Sequence, residues 1–273
     1  MIIRPSLASF ALATLPALAL SAQSTWFPAA GGAGLDLHVG KGFYENPGIR
    51  FATVSPVVTL RFAVSQKAVI ETELPFAFAS VEGDTHMENT SRMWGNPYLG
   101  VAVNGAPAAR VRLGFRLGMG RGPFYYPEVI AIGSAMNQEF ERAEAYLADV
   151  HALRGLVELG ALPERGTFAQ ARIGATLLMA PGDEAADSEA LLDYGLRLGW
   201  RTAAVIAHIG LTGRANLTRD DGSFADRTQH LLTLGLEATR GTVRPIVEFR
   251  YFLDEGAREQ VKGMVNLGLM LPW

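Results

Sequence analysis

The chain has 273 residues, no cysteine and a formal net charge of −3. This balance excludes a general electrostatic attraction for nucleic acid, and the lack of cysteine excludes disulfide bonds as a source of stability. Hydrophobic residues make up 49% of the chain but are spread among 30 glycines instead of being gathered into long runs, which excludes a bundle of membrane-spanning helices.

The N-terminal segment has the layout of a secretory signal peptide. Met1–Arg4 supplies a positive start, Leu7–Leu20 is an apolar run, and small residues follow up to Ala22. The run is too short for a spanning helix, which needs about 20 apolar residues. We expect cleavage after Ala22, with 17–19 as a secondary site, so that residues 1–22 are the signal peptide and 23–273 the mature protein. Loss of the one arginine in this segment lowers the net charge from −3 to −4.

From residue 31 onward, hydrophobicity alternates along the chain. In Val111–Met119, the odd positions are apolar and the even positions are arginine or glycine. Successive side chains of a strand point to opposite faces, so this pattern predicts strands with one apolar and one polar face. We predict twelve strands, at residues 31–41, 50–63, 68–79, 95–104, 109–121, 149–161, 167–180, 189–201, 203–214, 228–239, 243–253 and 260–272.

The connections between these strands alternate in length. Tight turns such as 65–67 and 104–105 follow the even-numbered strands, whereas longer polar loops such as 82–93 and 216–226 follow the odd-numbered ones. Short turns at one end and long loops at the other are typical of outer-membrane barrels. The fold class predicted is therefore all-β, a transmembrane antiparallel β-barrel of about twelve strands.

The longest connection, residues 122–148, carries a helical pattern. Its apolar positions recur at helical spacing, and its charged positions lie opposite them; they are Met136, Phe140, Ala143 and Leu147 against Glu139, Glu141 and Arg142. We expect a short helix lying across the rim of the barrel, on the extracellular side. A segment that plugs the mouth is the alternative.

A soluble barrel or sandwich also alternates, so the placement of aromatic residues has to decide between the two. Trp200 and Trp273 fall near the short-turn rim, and Trp94 and Tyr251 near the other, as in the two aromatic girdles of a bilayer protein. The series Val265–Trp273 is apolar at every second residue and ends in an aromatic residue. It resembles the C-terminal signal of outer-membrane proteins that the barrel-assembly machinery reads, although phenylalanine is the usual last residue. We expect outer-membrane lipid and that machinery as partners, and an outer-membrane location.

The polar face of the strands would then line the lumen. The lumen-lining residues predicted are Arg61, Glu71, Glu73, Tyr98, Arg112, Arg116, Glu158, Arg172, Asp193, Arg197, Glu237, Glu248 and Arg250, and His38 and His208 share this face. Such a lumen favours a narrow channel or uptake protein for a small-molecule solute. Ion pairs that merely fill the barrel explain the same residues at least as well. A structural barrel whose loops carry the function is the alternative.

Two short motifs carry a family resemblance. Glu73–Phe76, followed by Gly95–Gly100, resembles outer-membrane proteins of aromatic-compound degradation, the phenol meta-pathway family and related transporters. The resemblance covers about thirty residues and implies uptake of small, often hydrophobic, molecules. A strand entry and a bend in the wall explain the glycines and the proline of this segment without any transport role, and we favour that explanation.

Enzymatic and metal chemistry find little support in the sequence. His151, with Asp149 two residues before it, lies on the predicted lipid-facing side near the long-loop rim and is the one hint of a lipid-modifying enzyme, a less favoured alternative. His230 lies at a junction of loop and strand. A catalytic triad needs three groups within hydrogen-bond reach, and no motif here predicts that. Residues 220–222 with Asp226 lack the full spacing of a calcium loop, so a solvated turn is favoured. We expect that the protein is not an enzyme and that it binds neither a cofactor nor a metal ion.

Overall fold

The protein is described here by a computed structural model, which covers residues 33–44, 49–83, 89–105, 108–120, 122, 125–180, 188–219, 223–224 and 226–273. The predicted signal peptide lies outside these residues. The strands are β1 (Gly34–Tyr44), β2 (Ile49–Ala63), β3 (Ala68–Gly83), β4 (Asn89–Trp94), β5 (Tyr98–Asn104), β6 (Ala109–Arg116), β7 (His151–Leu159), β8 (Gly166–Met179), β9 (Glu189–Arg201), β10 (Val205–Asn216), β11 (Thr228–Ala238), β12 (Arg244–Phe252) and β13 (Val261–Pro272). The helices are α1 (Tyr126–Gln138), a 3₁₀ helix (Phe140–Tyr146) and α2 (Glu255–Gln260).

These strands form one closed antiparallel sheet. Apart from β4 and β5, each strand pairs with its neighbour in the chain. The pairing of β1 with both β2 and β13, and of β2 with β3, completes the ring. Strands β4 and β5 both pair with β3 and occupy one position in the wall. The thirteen segments therefore make a barrel of twelve strands, which confirms the predicted fold class.

The wall has a break that the sequence pattern did not predict. Residues 89–94, assigned to a loop, form β4, and the predicted strand at 95–104 begins only at Tyr98. Phe76 of β3 pairs with Trp94, whereas Glu73 pairs with Tyr98, so the register shifts by one residue across the break. Pro97 lies in this gap and has no N–H to donate to a sheet. Strand β6 also ends earlier than predicted, at Arg116 instead of residue 121.

The barrel is apolar on the outside and charged on the inside. On β6, Leu113 is 55% exposed while Arg116 is 2% exposed. Trp200 and Trp273 are exposed at the short-turn rim, and Trp94 is exposed towards the opposite rim. This distribution is the reverse of a soluble barrel and fits a lipid-facing outer surface. Among the described residues, no helix is both long and apolar enough to cross a membrane.

Most of the segment 131–146, between β6 and β7, lies inside the barrel, which corrects the expectation of a helix across the rim. Gln138 and Glu139 are fully buried, and α1 contacts β1, β2, β3, β4 and β13. The helix does not continue to residue 147 as the pattern predicted. It ends at Gln138, and the following 3₁₀ helix is interrupted at Arg142, whose φ of −145° is not helical. We call residues 126–146 the plug.

Candidate functional site: the plugged lumen

All thirteen predicted lumen-lining residues lie on the inward face of their strands. Eleven of them are buried, and only Arg112 and Glu158 are half-buried. The shared face follows from the register, in which Arg110, Glu158 and Arg172 oppose one another across three neighbouring strands. The structure separates these charges into two layers, one near the short turns and one around the plug.

The layer near the short turns consists of wall residues that pair with one another. Arg61 contacts Asp36 at 2.7 Å (Nη2 to Oδ2), and both are 1% exposed. Arg112 lies 3.3 Å from Glu71, and Arg197 contacts Glu237 at 3.5 Å. Buried charges are costly unless they are paired, so removing either member of such a pair should destabilise the barrel. These pairs join neighbouring or nearby strands of the wall to one another.

Tyr98 is packed into this interior by two glycines. A Cβ on Gly100 or Gly114 would lie 2.3 Å or 2.1 Å from the Tyr98 hydroxyl, so neither position has room for a side chain. The guanidinium of Arg116 lies 5.2 Å from the centre of the Tyr98 ring, within cation–π range. The glycines that alternate with arginines on the polar face therefore make room for large neighbours.

The second layer is built around charged residues of the plug. Glu139 is hydrogen-bonded to His38 on β1 and contacts Arg142 at 2.7 Å (Oε2 to Nε). Arg142 in turn contacts Glu73 on β3 at 3.0 Å. Interruption of the helix at Arg142 lets these neighbouring charges reach different parts of the wall.

Glu141 points at the opposite wall. It is paired with Arg172 on β8, accepts a hydrogen bond from the Thr212 hydroxyl on β10 at 3.0 Å, and lies 3.8 Å from Arg250 on β12. Two guanidinium groups and a hydroxyl therefore surround this one buried carboxylate.

Glu144 has a similar surrounding. Its carboxylate lies 3.0 Å from Arg214, 3.7 Å from Arg154 and 4.0 Å from Arg116, on three different strands. Arg214 also contacts Asp193 at 2.7 Å (Nε to Oδ1), which holds this guanidinium in place from the wall side. The plug is thus joined to β6, β7 and β10 through a single side chain.

Two apolar contacts complete the seat of the plug. Phe140 packs edge-on against Phe252, with ring centres 5.4 Å apart, beside Leu231, Val261 and Met264. On the other side, Ala131 and Ala135 of α1 pack against Ala77, Ala79 and Met93 of β3 and β4. These side chains are small on the α1 side, so the helix can lie close to the wall.

Asn96, in the break between β4 and β5, ties the wall to the end of the plug. It is fully buried, its backbone N–H donates to the Ala145 carbonyl at 2.6 Å, and its Nδ2 donates to the Leu147 carbonyl at 2.6 Å. Its Oδ1 accepts from the Gly120 amide at 2.7 Å. A single side chain therefore connects the break, the end of the plug and the segment that follows β6.

A depression lies at the same break, between the wall and the start of α1. Its volume is about 630 Å³, and it is lined by Leu74, Pro75, Arg92, Met93, Trp94, Gly95, Pro97, Met119, Gly122 and Glu128. Trp94 is 70% exposed beside it. Most of this lining is apolar, so the depression suits a small hydrophobic molecule better than an ion.

Sequence reasoning missed several residues of the site. Arg154 and Arg214 occupy inward positions of predicted strands and could have been found from the same alternation as Arg112. The plug charges Glu139 and Glu141 could not, because their segment follows neither strand alternation nor one continuous helix.

The rim histidines have different surroundings. His151 stacks on Phe115 on the outer face, and its Nδ1 accepts from the Gly118 amide at 3.0 Å. His230 is placed by its strand parity on the outer face. The Tyr194 hydroxyl lies 2.8 Å from its Nε2, and Asp254 lies 3.1 Å from its Nδ1.

The turn that was considered for calcium is described only in part. Residues 220–222 lie outside the described residues. Asp226 accepts hydrogen bonds from the amide and hydroxyl of Ser223 at 2.8 and 2.9 Å, and these bonds lower the pKa of this exposed carboxyl. The carboxylate therefore closes its own turn.

These features define a barrel of the outer-membrane type with an internal plug. No protein-family model and no curated protein matches the chain. Among solved structures, it is similar to the COG4313 outer membrane channel from Pseudomonas putida F1, with 12% identity and a TM-score of 0.57 over 92% of this chain and 99% of that one. It is also similar to LpxR from Salmonella typhimurium (11% identity, TM-score 0.54, 88% and 100% covered) and to the translocator domain of the autotransporter NalP from Neisseria meningitidis (11%, 0.51, 88% and 88%). At sequence identities this low, the structural similarity establishes the fold alone.

Proposed function

We propose that the protein is an outer-membrane channel for the uptake of small molecules, exported by its signal peptide, and that the plug must move for a solute to pass. The similarity in fold to an outer membrane channel supports this proposal. The observation that carries it is the way in which the plug is held, through carboxylates such as Glu141 and Glu144 that lie against arginines of the wall.

An ionic seat of this kind is suited to release. Much of the attraction in a buried ion pair is offset by the cost of removing both ions from water. When the plug moves and water enters the lumen, that cost is recovered on both sides. A purely apolar contact of the same area would recover nothing, because exposing apolar surface to water costs free energy. The closed state is therefore specific without being strongly held.

The wall depression supports a preference for small hydrophobic or aromatic solutes. The two segments that resemble the phenol meta-pathway family, Glu73–Phe76 and Gly95–Gly100, include Pro75, Gly95 and Pro97 of its lining. The break between β4 and β5 also lies at these residues, and the depression lies beside it.

A reversible crosslink between plug and wall tests the proposal. The chain has no cysteine, so the double variant Gly40→Cys/Gln138→Cys forms one bond only. A Cβ on Gly40 would lie 3.0 Å from the Gln138 Cβ, and a disulfide of about 3.8 Å therefore needs a shift of under about 1 Å. In planar bilayers, we expect conductance after reduction and none after oxidation, with each single cysteine variant indifferent to oxidation.

Equal conductance in both redox states would contradict the need for plug movement. Absence of conductance and of solute uptake in every state would instead support a structural barrel whose loops carry the function. We propose that the protein is not an enzyme. A lipid-modifying enzyme is the second candidate, because Tyr194, His230 and Asp254 form a hydrogen-bonded chain on the outer face near the long-loop rim. If His230→Ala and wild type leave lipid A and phospholipids equally unmodified by mass spectrometry, that candidate is excluded.

A further inference from the structure

The charges of the plug and of the wall around it balance each other. The buried part of the plug carries three carboxylates and one guanidinium, a net charge of −2, counting histidine as neutral. Five wall arginines reach it, and three wall carboxylates accompany them; they are Arg116, Arg154, Arg172, Arg214 and Arg250 with Glu73, Asp193 and Glu248. This wall cluster therefore has a net charge of +2.

Three of the five wall arginines are held by carboxylates of the wall itself. Arg250 contacts Glu248 at 2.7 Å, Arg214 contacts Asp193 at 2.7 Å, and Arg116 contacts Glu73 at 2.6 Å. These partners belong to the strands and stay when the plug leaves. These three guanidinium groups would keep their orientation in the open lumen, and the excess of two positive charges would face the passage.

We infer that this wall cluster is a binding site for a carboxylate solute, and that Glu141 and Glu144 occupy it in the closed state as the solute would in the open one. The inference rests on the proposed function and adds the chemical class of the solute. The sites offer what an anion requires, namely guanidinium groups, with the Thr212 hydroxyl beside Glu141, in a poorly hydrated interior. A small monocarboxylate has the charge of one plug carboxylate, and two such molecules would neutralise the excess of two positive charges.

The plug and the solute then compete for the same cations. A carboxylate that binds the wall cluster stabilises the open state by its differential affinity for that state, because the closed state has no room for it. Neutral molecules of the same shape lack this effect. Solute charge, and not only solute size, therefore controls opening.

Benzoate and the isosteric neutral benzamide serve as probes. The test records single-channel currents of the double variant Glu141→Gln/Glu144→Gln. In this variant the plug keeps its shape but loses the charges that compete with the solute. Under a KCl gradient, the reversal potential is expected to show chloride preferred over potassium. Benzoate is expected to change the current at a concentration at least about tenfold below that of benzamide, a difference of about 1.4 kcal/mol.

Two wall variants in this background locate the effect. Arg214→Gln removes an arginine that contacts Glu144 in the wild-type protein. It is expected to weaken both the preference for chloride and the sensitivity to benzoate. Arg244→Gln removes an arginine at the short-turn rim, whose guanidinium donates to the Gly241 carbonyl, and should leave benzoate sensitivity unchanged. Each protein is checked for correct folding by the heat-dependent shift of barrels in gel electrophoresis.

The outcomes separate this inference from the proposed function. A channel that conducts when the plug is free but treats benzoate and benzamide alike overturns the carboxylate site and leaves the channel intact. Equal benzoate sensitivity in the Arg214→Gln and Arg244→Gln backgrounds also overturns it. Lack of conductance in the reduced Gly40→Cys/Gln138→Cys protein and in wild type overturns the proposed function itself.

Discussion

Replacing Glu144 by glutamine should release the plug without changing its shape. The wild-type carboxylate lies 3.0 Å from Arg214, 3.7 Å from Arg154 and 4.0 Å from Arg116, and it is 1% exposed. Removing one partner of a buried ion pair costs about 3–5 kcal/mol. Glutamine retains one hydrogen bond from Arg214, worth about 1 kcal/mol. The closed state should therefore lose about 2–4 kcal/mol relative to the open state, in which the side chain is hydrated in both proteins.

This loss corresponds to an increase of about 30-fold to 1000-fold in the ratio of open to closed channels, at 1.36 kcal/mol for each tenfold change. Single-channel recording in planar bilayers measures that ratio directly. The matched control is Glu164→Gln, which removes the same charge from an exposed residue of a short turn. If Glu144→Gln and Glu164→Gln have the same open probability, the ionic seat does not hold the plug closed and the reasoning is refuted.

Three further predictions concern the wall. Arg61→Gln should lower the free energy of unfolding by up to about 3–5 kcal/mol, because it removes the guanidinium that contacts the buried Asp36. Adding Asp36→Asn should restore part of the loss in urea unfolding followed by tryptophan fluorescence, and an unchanged midpoint would contradict the pairing. Leu113→Arg should lower the folding stability of the barrel in lipid by about 2–4 kcal/mol. Leu159→Arg, near the short-turn rim, should lower it by only about 0–1 kcal/mol, and equal losses would argue against a lipid-facing outer surface. Gly114→Ala places a methyl 2.1 Å from a tyrosine hydroxyl, so an overpacking cost of about 1–3 kcal/mol is expected, and a stability equal to wild type would show that the ring can move away.

Much of the wall could be predicted from the sequence because a strand obeys a local rule. Alternation in Val111–Arg116 assigns each side chain to a face, and antiparallel pairing carries that assignment to the next strand. From the sequence alone, the same rule places Glu73, Arg197 and Glu248 on the inward face. It also placed His38 and His208 there, where both are buried. Local periodicity was sufficient for these residues.

The break in the wall and the plug required the tertiary structure. The β4 segment, Asn89–Trp94, is too short for its alternation to be distinguished from a polar loop, and its identity depends on pairing with β3. Sequence spacing within the plug suggested one amphipathic helix, but the interior of a barrel has charged walls on all sides. Glu139 and Glu141 point towards opposite walls, so no single helical face can satisfy them and the helix is interrupted at Arg142.

The sequence by itself therefore determined the inside-out barrel, because the two faces of each strand follow from the chemistry of neighbouring residues. Only the tertiary structure decided that the lumen is closed, since closure depends on residues far apart in the chain. Glu144 meets Arg214, seventy positions later, only once the strands have formed a ring. The alternation in the sequence indicates which charged side chains face the interior, whereas the tertiary structure determines which of them form ion pairs.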